Sequence, residues 1–360
     1  MNRLRPSLLL AILLPLLTSC GVFYTLDTRG AGPGAAARPL ELTGWLVFWD
    51  PQSWASFQAN VGALARVYPE AYSCQADGGI GRVEGATPQK LADTMALAHA
   101  HGCKVLGMMN NYAGGDFDRL RVERFLNDPA QMERHVQGLL ALAQADGLDG
   151  LDVDYENLSA GDRAAFTAFV RRLAEACHAK GLLVGVAAHP KESEPGTWDA
   201  PKAQDWQALG AAVDYFQPMT YDFHWASGAP GTIAPPVWVR SVISFAASQM
   251  PASKVELGLK TAGVNWSGKG QDLPWPGFLD LQSNAGKAQR DPDTQELTLT
   301  APAGGEVWMP DAATAEVKFQ IARELGVRGV AMWVLGSEDP ALWKAFASFN
   351  GGMPSGASPR

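Results

Sequence analysis

Between residue 43 and the end of the chain, strand signals and helix signals alternate, and that rhythm restricts the fold more than any other feature. Extended apolar runs at 44–49, 67–74, 104–109, 148–156, 182–188, 213–219, 255–261 and 329–334 read as strands. Helix patterns separate them: 52–65, a segment opened by Pro88 and closed at His101-Gly102, another capped by Asp128-Pro129 and reaching Ala145, then 159–180, a piece around 205–209, 235–249 and 312–325. A short last helix follows Pro340. Eight strand-then-helix units predict an α/β fold whose parallel strands close into a (β/α)8 barrel over 41–349, rather than an open doubly wound sheet. The rhythm breaks at 263–311, where short strand-like pieces at 295–300 and 306–309 predict a small insertion between strand 7 and helix 7. With 360 residues, 47% of them hydrophobic, the chain can fill one barrel-sized core.

The fourth strand carries the chemistry. It reads L-D-G-L-D-V-D-Y-E from Leu148 to Glu156, with Asp152, Asp154 and Glu156 two residues apart. On an extended strand all three carboxylates face one side, and Val153 and Tyr155 face the other. Two unit charges roughly 4 Å apart at an effective dielectric of ~20 repel by ~4 kcal/mol, so the trio retains a proton near neutrality, as a general acid requires. A calcium loop starting at Asp152 would need Gly at its sixth position and an acid at its twelfth; Asn157 and Arg163 stand there. A solvated acidic edge does not fit the flanking Leu148, Leu151, Val153 and Tyr155, which read as a buried strand. Asp149, at an odd offset, turns away from the acid face and is expected to buttress the structure.

At the N-terminus, Arg3 and Arg5 precede an apolar run at 8–17 that is too short to span a bilayer and has the form of a secretory leader. It ends in Leu17-Thr18-Ser19-Cys20, which resembles a bacterial lipobox and implies cleavage after residue 19 with lipidation of Cys20. Residues 20–40, rich in Gly, Ala, Pro and Arg, are expected to form a flexible tether, and 350–360 a disordered tail. The net charge of −8 becomes more negative by two charges when the leader is removed, which argues against nucleic acid and against a polybasic membrane patch, leaving the lipid as the membrane link. Cys74, Cys103 and Cys177 show no metal-ligand spacing, so no metal is expected, and no cofactor fingerprint is present: Gly79 and Gly81 lack the third glycine and the strand-to-helix turn of a dinucleotide loop. Buried free thiols are the favoured reading, with a Cys74–Cys103 disulfide as the alternative. The chain is expected to act as a monomer.

Chemistry in such a barrel gathers at the C-terminal strand ends. Those ends carry Trp49 and Asp50, Asn110 and Asn111, Asp154 and Glu156, His189, then Met219, Tyr221 and Asp222, and finally Trp333. Aromatics and acids around one mouth suit sugar rings, whose apolar faces stack on indoles while their hydroxyls need polar partners.

On these residues the chain resembles glycoside hydrolase family 18, the chitinase-like TIM barrels. Asp149 to Glu156 matches the family pattern D-G-x-D-x-D-x-E; Met219-Thr220-Tyr221-Asp222 matches M-x-Y-D at the sixth strand, and Trp333 the Trp that floors the sugar site. The stretches Tyr221 to Trp225, Gly228 to Val239, Val307 to Asp311 and Gly329 to Asp339 are similar to the branch that includes spore-cortex peptidoglycan glucosaminidases. The resemblance runs from Gly44 to Trp343. It departs from that branch in lacking N-terminal sugar-binding repeats, and Tyr155 replaces the Trp common in chitinases.

What the resemblance implies is hydrolysis of β-1,4 bonds at N-acetylglucosamine, in peptidoglycan, by substrate-assisted retaining catalysis, an exception to the two-carboxylate scheme. Glu156 would protonate the glycosidic oxygen while the substrate acetamido group attacks the anomeric carbon. Asp154 would hold the acetamido N–H, with Asp152 beneath it sharing a proton. Tyr221 would orient the acetamido oxygen; Asp222, Gln217 and Asn110 would bind sugar hydroxyls, and Met219 and Trp333 would line the pocket. The alternatives are a chitinase acting on chitin or its oligomers and, from another class, a non-catalytic lectin on the same barrel. Lectins of this kind usually lack the terminal acid, which Glu156 supplies.

Overall fold

The structure is a computed structural model and describes residues 38–351. The expected leader, Cys20, residues 20–37 of the tether and residues 352–360 of the tail lie outside the described residues. Eight parallel strands form the barrel: β1 (Glu41–Leu46), β2 (Arg66–Cys74), β3 (Lys104–Asn110), β4 (Gly150–Asp154), β5 (Leu183–Ala188), β6 (Tyr215–Pro218), β7 (Glu256–Lys260) and β8 (Gly329–Trp333). Hydrogen-bonded neighbours run β7, β8, β1, β2, β3, β4, β5, β6, and a single bridge between Phe216 and Val255 closes the gap between β6 and β7. The expected (β/α)8 architecture is therefore what the chain adopts.

The strand sequences are nearly continuous apolar runs because both faces are covered. Outward residues such as Leu42, Val105, Leu151, Val153 and Val186 pack under the helices, while Trp45, Tyr68, Met108, Met219 and Tyr221 form a second cluster inside the barrel toward its mouth. Helix starts follow their caps. Asp128 accepts from the backbone N–H of Ala130 and Gln131, and the helix Pro129–Ala145 follows; Thr87 accepts from the N–H of Lys90 ahead of Pro88–Ala100.

The expected helix at 52–65 is shorter, Pro51–Asn60, because a 3-10 turn at Val61–Ala63 tightens its end before β2. Elements that were not expected include a strand Ile80–Arg82 antiparallel to the end of β2, a hairpin of Tyr112–Ala113 with Asp116–Phe117, and the helices Arg119–Leu126 and Asp199–Lys202. The segment 263–311 folds as a five-stranded antiparallel sheet with the helix Trp275–Ala285 around a small core of Leu273, Phe278, Leu299, Val307 and Met309. Its Glu296 carboxylate accepts from the backbone N–H of Ile233 and Ala234, fastening the loop after β6 to the insertion.

The barrel floor is latched by a repeated device. Asp149 accepts from Val105 N–H (2.7 Å) and meets His99 (2.9 Å), while its own N–H donates to Val105 O. Two units further on, Asp214 does the same with Val184 N–H (2.9 Å) and His178 (2.9 Å). Asp149 is thus the structural buttress that its offset indicated.

Inside the floor lies a buried charge network. Arg66 pairs with Glu256 and with Glu41 (2.6 Å), Glu41 also meets Arg328 (3.0 Å), and Tyr68 Oη donates to Glu256 (2.8 Å). Arg66 further lies over the Tyr215 ring, 4.0 Å from its centroid. Asn350, at the head of the expected tail, is buried instead. Its side chain accepts from Leu40 N–H (3.1 Å) and donates to Leu40 O (2.9 Å), joining the two ends of the barrel. The three described cysteines are buried free thiols, and burial pushes each up to about 12. Among the described residues no helix is long and apolar enough to cross a membrane.

Candidate active site

Alternation along β4 does what its sequence requires. Tyr155 leaves the barrel and its hydroxyl meets His135 Nε2 at 2.7 Å in the helix layer, whereas Asp152 and Asp154 point inward. Asp152 is fully buried, and Trp45 Nε1–H donates to its Oδ2 at 3.1 Å. Space for it exists because β5 has no side chain opposite: a Cβ on Gly185 would stand 2.3 Å from Asp152 Oδ1 and 3.2 Å from Gln217 Nε2. Gly185→Ala should therefore displace the acid, costing about 1 to 3 kcal/mol in denaturant unfolding and lowering kcat. Wild-type values for both would show that this contact does not position Asp152.

The carboxylates hold protons that isolated acids would lose. Burial and then Asp154 raise Asp152 well above the carboxylate range; burial and then Glu70 push Asp154 up to about 7. Burial, then Asp154, Asp222 and Asp116, raise Glu156 well above it too. Asp152 Oδ1 and Asp154 Oδ1 are buried without a hydrogen-bond partner in the protein, which leaves Asp154 an acceptor free for a substrate N–H. The Glu156 backbone is gripped by one side chain: its N–H donates to Asn111 Oδ1 (2.9 Å) and its carbonyl accepts from Asn111 Nδ2 (3.0 Å). The next residue, Asn157, has φ 56°, a left-handed turn that Asn tolerates better than most residues.

Across the mouth, Tyr221 is buried; burial and the four acids Asp154, Glu156, Asp222 and Asp152 raise its hydroxyl, so it stays a neutral donor. Asp222 follows at φ 56°, and its carboxylate accepts from Lys260 Nζ (2.6 Å), which also meets Asp272 (2.9 Å). Burial outweighs that lysine and raises Asp222. Trp333 stands edge-on to Trp45 with ring centroids 5.9 Å apart, and Met219 packs in the same cluster. Thr261 braces this corner, its Oγ1 accepting from Val334 N–H (2.9 Å) and its N–H donating to Trp333 O (2.8 Å).

Gln217 and Asn110, expected with Asp222 to meet sugar hydroxyls, are engaged within the protein, as Asp222 is with Lys260. Gln217 is fully buried, its Nε2 directed at Glu256 (3.5 Å) and its amide beside Asp152. Asn110 Nδ2 donates to Glu70 (2.7 Å), and its Oδ1 accepts from Tyr112 N–H (3.2 Å). Asn110 ends β3 opposite Asp154 with its side chain turned to Glu70, whereas the side chain of Asn111 reaches the backbone of Glu156. Sequence reasoning also missed Glu70, whose second oxygen accepts from the exposed Trp49 indole (2.9 Å), and Trp45, whose inward parity with Thr43 on β1 was the available signal. Among the described residues no three His, Cys, Asp or Glu side chains are arranged to hold a metal ion.

An inward row of acids with raised proton affinity, a tyrosine facing it and indoles beside it can protonate a bridging oxygen and stabilise a neighbouring cation. Comparison with known proteins agrees. The "Cortical fragment-lytic enzyme" of Bacillus subtilis (strain 168) is 30% identical over 267 residues, 70% of this chain and 62% of that protein. The chain thus spans about three fifths of the length of that relative. A chitinase structure from Chromobacterium violaceum ATCC 12472 superposes with a TM-score of 0.79 at 25% identity, covering 86% of this chain and 98% of that one. The spore cortex-lytic enzyme SleL of Bacillus megaterium QM B1551 shares the fold, with a TM-score of 0.78 at 24% identity over 89% of this chain and 76% of that one. The model of the glycosyl hydrolases family 18 matches residues 74–338, and the chain, a glycoside hydrolase, belongs to that family.

Proposed function

We propose that this enzyme cleaves β-1,4 bonds at N-acetylglucosamine residues of peptidoglycan by substrate-assisted, retaining catalysis. The observation that carries the reading is the inward acid row, in which Glu156 keeps a proton and Asp154 keeps an unpartnered oxygen, facing the neutral hydroxyl of Tyr221. Glu156 gives its proton to the glycosidic oxygen as the substrate acetamido oxygen attacks the anomeric carbon. Asp154 accepts from the acetamido N–H and stabilises the oxazolinium cation; Asp152, held by Trp45, shares a proton with Asp154. Tyr221 donates to the acetamido oxygen, Asp222 and the partly exposed face of Trp333 contact the ring, and Met219 lines the pocket. Glu156 then takes a proton from the water that opens the oxazolinium, and the anomeric configuration is retained. Gln217 and Asn110 act in this scheme by supporting Asp152 and the mouth loop.

The cortical fragment-lytic relative supports peptidoglycan as the polymer. The Chromobacterium chitinase, matched over nearly its whole length, supports chitin as the second reading. The L-T-S-C sequence supports a lipid anchor at Cys20 and an address in the cell envelope. The deciding experiment digests purified sacculi and N-acetylglucosamine oligomers side by side and identifies the products. Muropeptides with new N-acetylglucosamine reducing ends are expected; release from the oligomers alone would make chitin the substrate. A polymer without the 2-acetamido group should not be cleaved, because it lacks the attacking oxygen.

A further inference from the structure

One titratable side chain against the acid row has no place in that scheme. His189 follows β5, is buried, and is held by contacts that leave its Nε2 unused. Its backbone N–H donates to Gln204 Oε1 at 2.8 Å, and its ring meets Trp198 edge-on at 4.9 Å between centroids. The loop that brings Gln204 and Trp198 there is tied from within. Lys191 Nζ donates to the carbonyls of Pro201 (3.0 Å) and Gln204 and pairs with Glu194 (2.9 Å), and Arg163 donates to the carbonyls of Lys202 and Gln204 at 3.0 and 3.2 Å. Nε2 has no formed hydrogen bond, and Oε2 of Glu156 lies 3.4 Å away.

We propose that His189 is a positioning residue for the general acid: its Nε2–H donates to Glu156 Oε2, so that the proton to be delivered resides on Oε1, toward the substrate. The inference rests on the catalytic role given to Glu156 above. A separation of 3.4 Å is long for a formed bond, but catalytic contacts are often loose without substrate and tighten in its presence. The chemistry of the imidazole suits the role. Burial lowers it to about 4, so near neutrality it is an uncharged donor that orients a carboxylic acid without stripping its proton. Among the described residues, the charged groups that act on Glu156 are acids: Asp154 from β4, Asp116 from the hairpin after β3 and Asp222 after β6, with Tyr221 beside them. They oppose the carboxylate; the His189 donor favours it.

The test compares leaving groups. A sugar leaves only with a proton, whereas a dinitrophenolate leaves without one, so loss of acid positioning should spare a dinitrophenyl N-acetylglucosaminide. His189→Phe keeps the ring shape and removes the donor; it should lower kcat/KM on N-acetylglucosamine oligomers by roughly 10- to 100-fold, the loss of one hydrogen bond to the carboxylate that develops as Glu156 gives up its proton, and change the aryl substrate little. The alkaline limb of its pH profile should move upward, because ionised Glu156 loses a stabilising donor. His189→Gln places an amide N–H near the same spot and should restore both. Should His189→Phe not fold, His189→Asn, too short to reach Glu156, should show the same selectivity. Equal losses on both substrates with an unmoved limb would overturn the proposal. A wild-type enzyme no faster than Glu156→Gln on the oligomers would overturn the catalytic assignment and this inference with it.

Discussion

Glu156→Gln is expected to lower kcat by roughly 10²- to 10⁴-fold, the contribution of a positioned general acid, while KM and the unfolding midpoint stay near wild type. The amide keeps the shape of the side chain, and Asn111 holds this residue by its backbone, so nothing in the fold depends on the carboxyl. Only the transferable proton is lost, and a loss confined to kcat is the mark of an interaction made in the transition state. The wild-type pH profile should report the same proton. Burial and three neighbouring acids raise Glu156, and in the proposed mechanism the active form is the protonated one, so activity should persist through the ordinary carboxylate range near ~4.3 and fall as pH climbs through the raised value. An alkaline limb at ordinary carboxylate pH, or a Gln variant with wild-type kcat, would remove Glu156 from the mechanism.

Arg66→Met should produce the largest stability loss, about 3 to 5 kcal/mol by chemical denaturation, because it strands Glu256 in the barrel floor. Glu256 has no solvent exposure; besides Arg66 it has only uncharged partners, Tyr68, Thr43 and Gln217. Glu41 would retain Arg328 and Arg38, so the damage concentrates on one carboxylate. Arg66→Met combined with Glu256→Gln should recover a large part of the loss, since the stranded charge, rather than the missing ion pair, accounts for most of it. A double variant as unstable as the single one would mean that Arg66 acts through packing, for example on the Tyr215 ring.

The parts of this molecule that were legible in the sequence are those governed by local rules. The β4 acids could be assigned to one face because strand alternation is a backbone property, and Asp128-Pro129 marked a helix start because a cap and a preset φ act within one turn. Asp149 was legible for the same reason of parity. What was hidden depends on cross-barrel geometry. Asn110 and Asn111 are equivalent as letters, and only the packing of β3 against β4 shows that the second grips Glu156 while the first turns to Glu70. Gln217 had a polar side chain at a strand end, but its inward orientation at full burial sends it toward Asp152 and Glu256. The helix Arg119–Leu126 was missed because it is short and charged, and it is settled by tertiary contacts of Val122, Phe125 and Leu126.

The paired latches at Asp149 and Asp214 show that one device at the floor of this enzyme is repeated. An acid before a strand ties the preceding strand to the helix ahead of it, and the same arrangement returns after a stride of two units. The two latches are thus interchangeable in principle, as the bricks of a course are, whereas a substitution in the acid row has no spare copy to consult.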